Sequence, residues 1–203
     1  MAFAPYVTIP EFKVSVGLTD TIDDVELGDI LDSTSRWIDD YCDRHFWQDV
    51  AVARTFEACH WYELDIDDLV SITSLKTDEA GDGTFETTWA ASDYQLQPVN
   101  RPTGRPFTRV EAVAGRRFPI RYTMPGRANR VEITGTWGWA AVPKPVHRAC
   151  LIQANRELKT RLSPEGNAGL DSFGGAIRVP APPDPRATGK LDRGYVRNQV
   201  LVA

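Results

Sequence analysis

The chain has 203 residues, 42% hydrophobic and 25% charged, with a formal net charge of −5, the balance of an ordinary globular protein of one domain or two small ones. No apolar run approaches the ~18–20 residues that a membrane span needs. MAFAPYVTIPEF carries no basic stretch followed by an apolar core, so neither a membrane partner nor a secretory signal is expected, and three cysteines, Cys42, Cys59 and Cys150, read as reduced thiols rather than a disulfide framework.

The small net charge hides an asymmetry. Residues 1–100 hold 5 Lys and Arg against 21 Asp and Glu, and residues 101–203 hold 18 against 7. Such a split suits a chain that meets another copy, or a partner, through complementary faces. It is equally what two halves show when they fold together and pair their charges on one surface.

In chain order, Thr8-Ile9-Pro10-Glu11 reads as a helix start. Thr8 is the cap, Glu11 completes a capping box, and the helix, 8–17, ends at Gly17. Residues 22–46 carry the clearest periodicity. Leu27, Ile30, Leu31, Thr34, Trp37, Ile38, Tyr41, Cys42 and His45 recur at three- and four-residue steps and predict one amphipathic helix, with Asp29, Asp32, Arg36, Asp39, Asp40 and Asp43 on its other side. Gly28 inside it costs about 1 kcal/mol against Ala.

From about 50 to 139 the period becomes two. VAVARTFEA, WYELDID, LVSITSLKT, TFETTWAA, YQLQPV, FTRVEAV and RVEITGTWGW read as strands of an antiparallel region inserted between helices, with turns at Asp65–Asp68, Gly81–Gly83, Pro102–Pro106 and Pro125–Gly126. A last long helix is expected over 145–162. Its stripe of Val146, Ala149, Cys150, Gln153, Ala154, Glu157, Leu158 and Leu162 includes two polar residues, which points to contact with something besides a dry core. The expected fold is α+β: a small helix bundle with an inserted antiparallel β region. Residues 1–162 form its body and 163–203 an extended tail.

That tail holds 6 Gly and 5 Pro, and alone it should be mobile. Yet it spaces Phe173, Ile177, Leu191, Tyr195, Val200 and Leu201 along its length, which suits folding onto a partner rather than a merely solvating end.

Candidate chemistry is sparse. TDEAGDGTFE, Thr77 to Glu86, crowds acids around two glycines, but an EF-hand register from Asp78 puts Ala80 at position 3 and Trp89 at position 12. Asp82-Gly83 between β-patterned flanks is expected to be a hairpin turn, the alternative being weak calcium capture by Asp78, Glu79 and Asp82. Cys42-x-x-His45 and His147-x-x-Cys150 could form a Cys2His2 zinc set only if two helix faces met. Nothing else cues a zinc site, so no metal and no cofactor is expected. No G-x-S-x-G, Walker A, H-E-x-x-H or dinucleotide fingerprint occurs, and no enzyme is expected. Trp137-Gly138-Trp139 reads as core filling or, alternatively, as the platform of a glycan-binding β module. Arg101, Arg105, Arg109, Arg116, Arg117, Arg121, Arg127 and Arg130 suit phosphate or carboxylate pairing. An acidic helix face suits the opposite task, lining a tunnel through which a duplex slides without sticking.

The layout is that of a known family. YVTIPEFK opens the chain, SRWIDDYCDRHF ends the long helix, and DDLVSITSLKTDEAGDGTFETTW, DYQLQP, GRPFTRV, RVEITGTWGWAAVPKPV and RACLIQANRELKTR follow. Over roughly residues 6–162 this resembles the head-to-tail adaptor (head completion, or connector) proteins of tailed double-stranded-DNA bacteriophages. The resemblance implies a structural virion protein of the neck, assembled in the host cytoplasm. It forms a ring, expected as a dodecamer, that joins the portal to a stopper or tail-completion protein and extends the channel for phage DNA without reading its sequence. It also implies a C-terminal segment that docks on the portal, with Arg186, Lys190, Arg193, Tyr195 and Arg197 as candidate contacts, and an acidic channel face for which Asp32, Asp39, Asp40 and Asp43 are the candidates. A different neck component, a stopper or tail-completion protein, is the nearest alternative.

Overall fold

A computed structural model describes residues 4–19, 24–120, 130–162, 167–170, 176–178 and 183–197. The chain is an α+β protein whose described residues fall into two compact units: Met1–Arg44 with Val142–Ala203, and His45–Ala141. No helix among the described residues is long and apolar enough to cross a membrane.

The first unit is helical. α1 spans Ile9–Val16 and starts at the predicted capping box. The Thr8 N–H donates to Glu11 Oε2 at 2.9 Å and the Glu11 N–H to Thr8 Oγ1 at 3.4 Å. α2 spans Asp24–Cys42 and buries Leu27, Leu31, Thr34, Ile38 and Cys42 of the expected stripe together with Ser35, while Ile30, Trp37 and Tyr41 of that stripe are only half-buried. It ends four residues short of the expected 46, because Asp43 takes a left-handed conformation (φ +50°) that a right-handed helix cannot continue. α3, Lys144–Leu162, runs after Pro143 and buries Val146, Ala149, Cys150 and Ala154.

The second unit is a six-stranded antiparallel sheet. Its strands are β1 (Gln48–Phe56), β2 (Glu63–Asp78), β3 (Thr87–Trp89), β4 (Tyr94–Gln97), β5 (Phe107–Ala112) and β6 (Arg130–Gly138), in the order β1-β6-β2-β5-β4, with β3 also on β2. Its core gathers Leu64, Ile66, Leu69, Leu75, Trp89, Val110, Phe118, Val131, Ile133 and Trp137.

Two expected strands, 61–67 and 69–77, are one continuous β2, and Asp65–Asp68 is no turn. The register against β5 shifts between Asp65 and Leu69, so the acids sit at a bulge that bends the strand. Their charges have partners there: Asp67 meets Arg54 at 2.9 Å, and Asp68 Oδ2 accepts from Trp139 Nε1 at 2.8 Å. The expected turn at Pro125–Gly126 lies outside the described residues.

The tail differs from an unstructured end. It holds β7 (Asn167–Leu170) and β8 (Ala176–Arg178), paired antiparallel, and α4 (Pro185–Leu191). Phe173, Val200 and Leu201 lie outside the described residues.

Candidate docking and channel surfaces

α2 advances about 100° per residue, which brings Asp29, Asp32 and Asp40 within about 80° of one another. All three are exposed, and none is in an ion pair among the described residues. Asp43, just past the helix, is exposed as well. Arg36 sits on the same side but is drawn off it, with its guanidinium 3.3 Å from Asp39 and 5.7 Å from the Tyr6 ring centroid. The result is an acidic stripe.

Asp39 does not belong to that stripe. Its carboxylate accepts a hydrogen bond from the Tyr6 hydroxyl, and the side chain is mostly covered. Burial pushes its pKa up to about 6, against the opposing pull of the Tyr6 hydroxyl and Arg36, and neighbouring Asp40 and Asp32 push the same way as burial. Of the four acids expected on a channel face, Asp32, Asp40 and Asp43 are exposed and Asp39 is turned inward. Asp29 joins them; the helical spacing shows it.

The tail candidates lie on a segment, 183–197, that is seated on the chain's own helices. Asp184 caps α4, its carboxylate accepting the Arg186 N–H at 2.8 Å. Ala187 and Leu191, four apart, are fully buried, while Arg186 is 83% exposed, Arg193 is exposed and Lys190 is half-buried. The seat is polar. Gln153 Oε1 accepts the Asp184 N–H at 3.0 Å, and Arg156 lies 3.6 Å from the Asp184 carboxylate. The Tyr41 hydroxyl donates to Asp192 at 2.7 Å, and the Arg197 N–H donates to the Cys42 carbonyl at 2.8 Å. Tyr195 and Arg197 are half-buried. Gln153 and Arg156 went unassigned from sequence alone, although Gln153 is one of the polar residues that interrupts the α3 stripe.

The acidic loop between β2 and β3 is closed by its own backbone. Asp78 is fully buried, and its carboxylate accepts from the N–H groups of Gly81, Asp82 and Gly83 at 2.5, 3.3 and 2.8 Å. Asp82 Oδ1 accepts from Thr84, and Gly83 holds φ +92°. Among the described residues, Asp78, Asp82 and Glu86 form the one group of three acids whose ligand atoms lie within 4.8 Å of one another, with Glu86 where sequence pointed to Glu79.

The two Cys/His pairs do not assemble. Because α2 stops at Cys42, His45 leaves its helical face and instead lies 3.6 Å from Asp49 and stacks on Trp47. His147 faces Glu11 at 3.8 Å, and Cys150 is 3.7 Å from the Ser35 hydroxyl. Burial pushes the Cys42 and Cys150 thiols up to about 12, so both are inert core groups.

Trp137 and Trp139 are buried, at 0% and 3% exposure, so this pair presents no face to a sugar. Trp137 Nε1 donates to the Val52 carbonyl. Several arginines of the basic half are engaged within the chain. Arg109 meets Glu63 and Asp65, Arg116 meets Asp93, Arg161 meets Glu26, and Arg117 lies over Trp61 and Tyr62. Arg121 and Arg127 lie outside the described residues.

No protein-family model and no curated protein matches the chain. Among solved structures it is similar to a chain in the neck of an empty gene transfer agent (GTA) particle computed with C6 symmetry. That chain is 21% identical, the match covers 100% of this chain and 96% of that one, and the TM-score is 0.57. It is similar also to a chain in the neck of a native GTA particle computed with C12 symmetry, at 19% identity, 90% and 96% coverage and a TM-score of 0.48. A third likeness is to a chain in the virion of a native GTA particle, at 20%, 87% and 93%, again with a TM-score of 0.48. The first shows a shared fold; the other two carry no weight.

Proposed function

We propose that this chain is a structural neck protein of a tailed, phage-like particle. It assembles as a ring, a dodecamer, between the portal and the next neck component, and DNA passes through without sequence-specific contact. The observation that carries the reading is the fold likeness over the full chain to a component of a particle neck. The C6 symmetry of that neck suits a ring of twelve, since six-fold symmetry is contained in twelve-fold.

The surfaces support the same assignment. The stripe of Asp29, Asp32, Asp40 and Asp43 suits a channel wall, because fixed negative charge repels the phosphate backbone and keeps a duplex from adhering. Arg186 and Lys190 on α4, with Arg193 just past its end, give the tail a basic side for a portal surface. The ring is placed in the virion neck after assembly in the host cytoplasm. It is assigned no catalytic role: Asp39, the carboxyl pushed furthest up, is engaged by the Tyr6 hydroxyl and Arg36, and among the described residues no nucleophile is bonded to a base.

Electron microscopy of the purified protein mixed with portal tests the reading. Rings stacked coaxially on the portal are expected. Portal that stays undecorated at micromolar protein, with the chain monomeric beside it, defeats the proposal.

A further inference from the structure

The sheet of the second unit ends in two strands, β1 and β4, and among the described residues each has a strand neighbour on one side alone, β6 and β5 respectively. An edge strand presents a row of N–H and C=O groups that no strand answers, and proteins blunt such edges with Lys, Pro or a bulge. In β1, Val50, Ala51, Val52 and Ala53 are consecutive and all exposed, so neither face of the strand is covered there; Val50 is 68% exposed and Val52 39%. The two charges of β1 are turned to each other and to β2: Arg54 meets Asp49 at 3.0 Å and Asp67 at 2.9 Å. A bulge does interrupt the strand between Asp49 and Val52, but beyond it residues 52–56 run in unbroken register against 135–131.

The other edge is open in the same way. β4, YQLQ, carries no charge. One step before it, the Val113 N–H donates to the Asp93 carbonyl at 2.9 Å. The alternation of an antiparallel ladder then turns the N–H and C=O of Tyr94 and Leu96 away from β5, to the open side. Tyr94 and Leu96 are only half-buried, as is Phe56 of β1, and all three pack against the sheet core. The apolar layer therefore reaches both ends of the sheet and is incompletely covered at each.

Topology says what fits these edges. Every pairing along β1-β6-β2-β5-β4 is antiparallel, so β1 and β4 run in the same direction. A second copy related by rotation about an axis along the strands brings its β4 parallel to β1, with the apolar layers on the same side and no like charges opposed. We propose that β1 of one copy pairs in parallel with β4 of the next, and that this joint is the seam between neighbouring subunits. Each copy gives one edge and receives at the other, so the contact is heterologous and repeats until it closes. The closed ring rests on the neck reading; the seam rests on the sheet itself.

Sedimentation velocity of the full chain, without portal, tests the seam. Val52→Lys with Ala53→Lys charges the β1 edge at exposed positions, and Leu96→Pro removes an outward donor from β4. The parent is expected to assemble and each variant alone to stay monomeric. Mixed in equal amounts, the two variants are expected to form dimers and nothing larger, since one intact β4 meets one intact β1 and both remaining edges are blocked. That rescue also shows both variants to be folded. Leu96→Pro that still assembles alone overturns the seam, because a two-fold β1–β1 contact would do so without β4. A mixture that stays monomeric overturns it too, as does a parent monomeric at high micromolar concentration. Portal separates the two layers. If both variants decorate portal with parent-like rings, the seam fails and the neck reading stands. If the mixture forms dimers while the parent leaves portal undecorated, the neck reading fails and the seam stands.

Discussion

The side-chain oxygen of Gln153 accepts a hydrogen bond from the backbone N–H of Asp184 at 3.0 Å, joining α3 to a residue 31 positions further along. Asp184 then turns its carboxylate two ways, capping α4 through the Arg186 N–H and facing Arg156, so one residue fixes both the start of the helix and its attachment.

Asp184→Ala is therefore expected to free the tail. Loss of the cap costs about 1 kcal/mol, and Arg156, 8% exposed, loses the Asp184 carboxylate it faces. Limited trypsin digestion checks this: cleavage at Arg186, Lys190 and Arg193 should accelerate while α2 and α3 stay intact. Acid should do the same. Burial works against the charge of Asp184, but the Arg186 N–H and guanidinium and the Arg156 guanidinium outweigh it, so its pKa lies below the ordinary carboxylate range. A depressed folded-state pKa gives stability that is present above about pH 4 and lost as the pH falls through the folded value.

Asp39 has the opposite sign. Its folded pKa is about 6 against an ordinary 3.8, so the protonated form is the one the fold favours. Its contribution is full below the unfolded value and is lost as the pH rises from about 4 to about 6. Asp39→Asn keeps an acceptor for the Tyr6 hydroxyl and removes the buried charge. It is expected to raise stability at pH 7 by on the order of 1–3 kcal/mol and to change little at pH 4. Urea denaturation at both values checks it. A variant destabilised equally at the two pH values contradicts the assignment.

Gly28 stands inside α2, where an added Cβ would lie 3.8 Å from Ile9 Cδ1, an ordinary contact. Gly28→Ala should stabilise the helical unit by about 1 kcal/mol and raise its melting temperature by a few degrees. An unchanged or lowered melting temperature would mean that α1 approaches α2 more closely than this.

Gly138 behaves differently. It holds φ +91°, and a Cβ there would lie 1.8 Å from the Trp47 carbonyl oxygen. The same turn lets the Trp139 N–H reach that carbonyl at 3.1 Å and aims the two neighbouring indoles at different partners, Trp137 at Phe56 and Trp139 at Phe46. Gly138→Ala combines backbone strain with a clash against backbone and should cost about 3 kcal/mol or more. Loss of near-ultraviolet circular dichroism from the tryptophans, or failure to express as folded protein, is the expected reading; a parent-like spectrum and melting curve would contradict it.

What was legible in the sequence follows from range. The α1 capping box and the α2 stripe are written in residues three or four apart, and both stand where the pattern puts them. The end of α2 depended on the backbone of one residue, Asp43, whose type tolerates the left-handed region without demanding it. The acids at 65–68 looked like a turn because a local reading expects charge to seek water. Their partners, Arg54 and Trp139, are supplied from β1 and the end of β6. The seating of the tail depends on pairs more than thirty positions apart, and only the polar interruption of α3 at Gln153 hinted at it. The acidic stripe was visible, but Asp39 could be separated from it only once Tyr6 was placed across from it.

The stripe gives the most direct test of the proposed channel. Asp29, Asp32 and Asp40 are exposed and in no ion pair among the described residues, so replacing all three with Lys should barely alter folding, each change lying within about 0.5 kcal/mol. In a ring the effect is large, because every copy exchanges three repelling charges for three attracting ones. Variant rings are expected to retain linear duplex DNA at low salt and to release it steeply as salt rises, since each phosphate contact formed displaces condensed counterions. Parent rings should retain none. Electrophoretic retardation of DNA across a salt series reads both. Variant rings that assemble normally and hold DNA no better than the parent would place the stripe on the outside of the ring, away from the duplex.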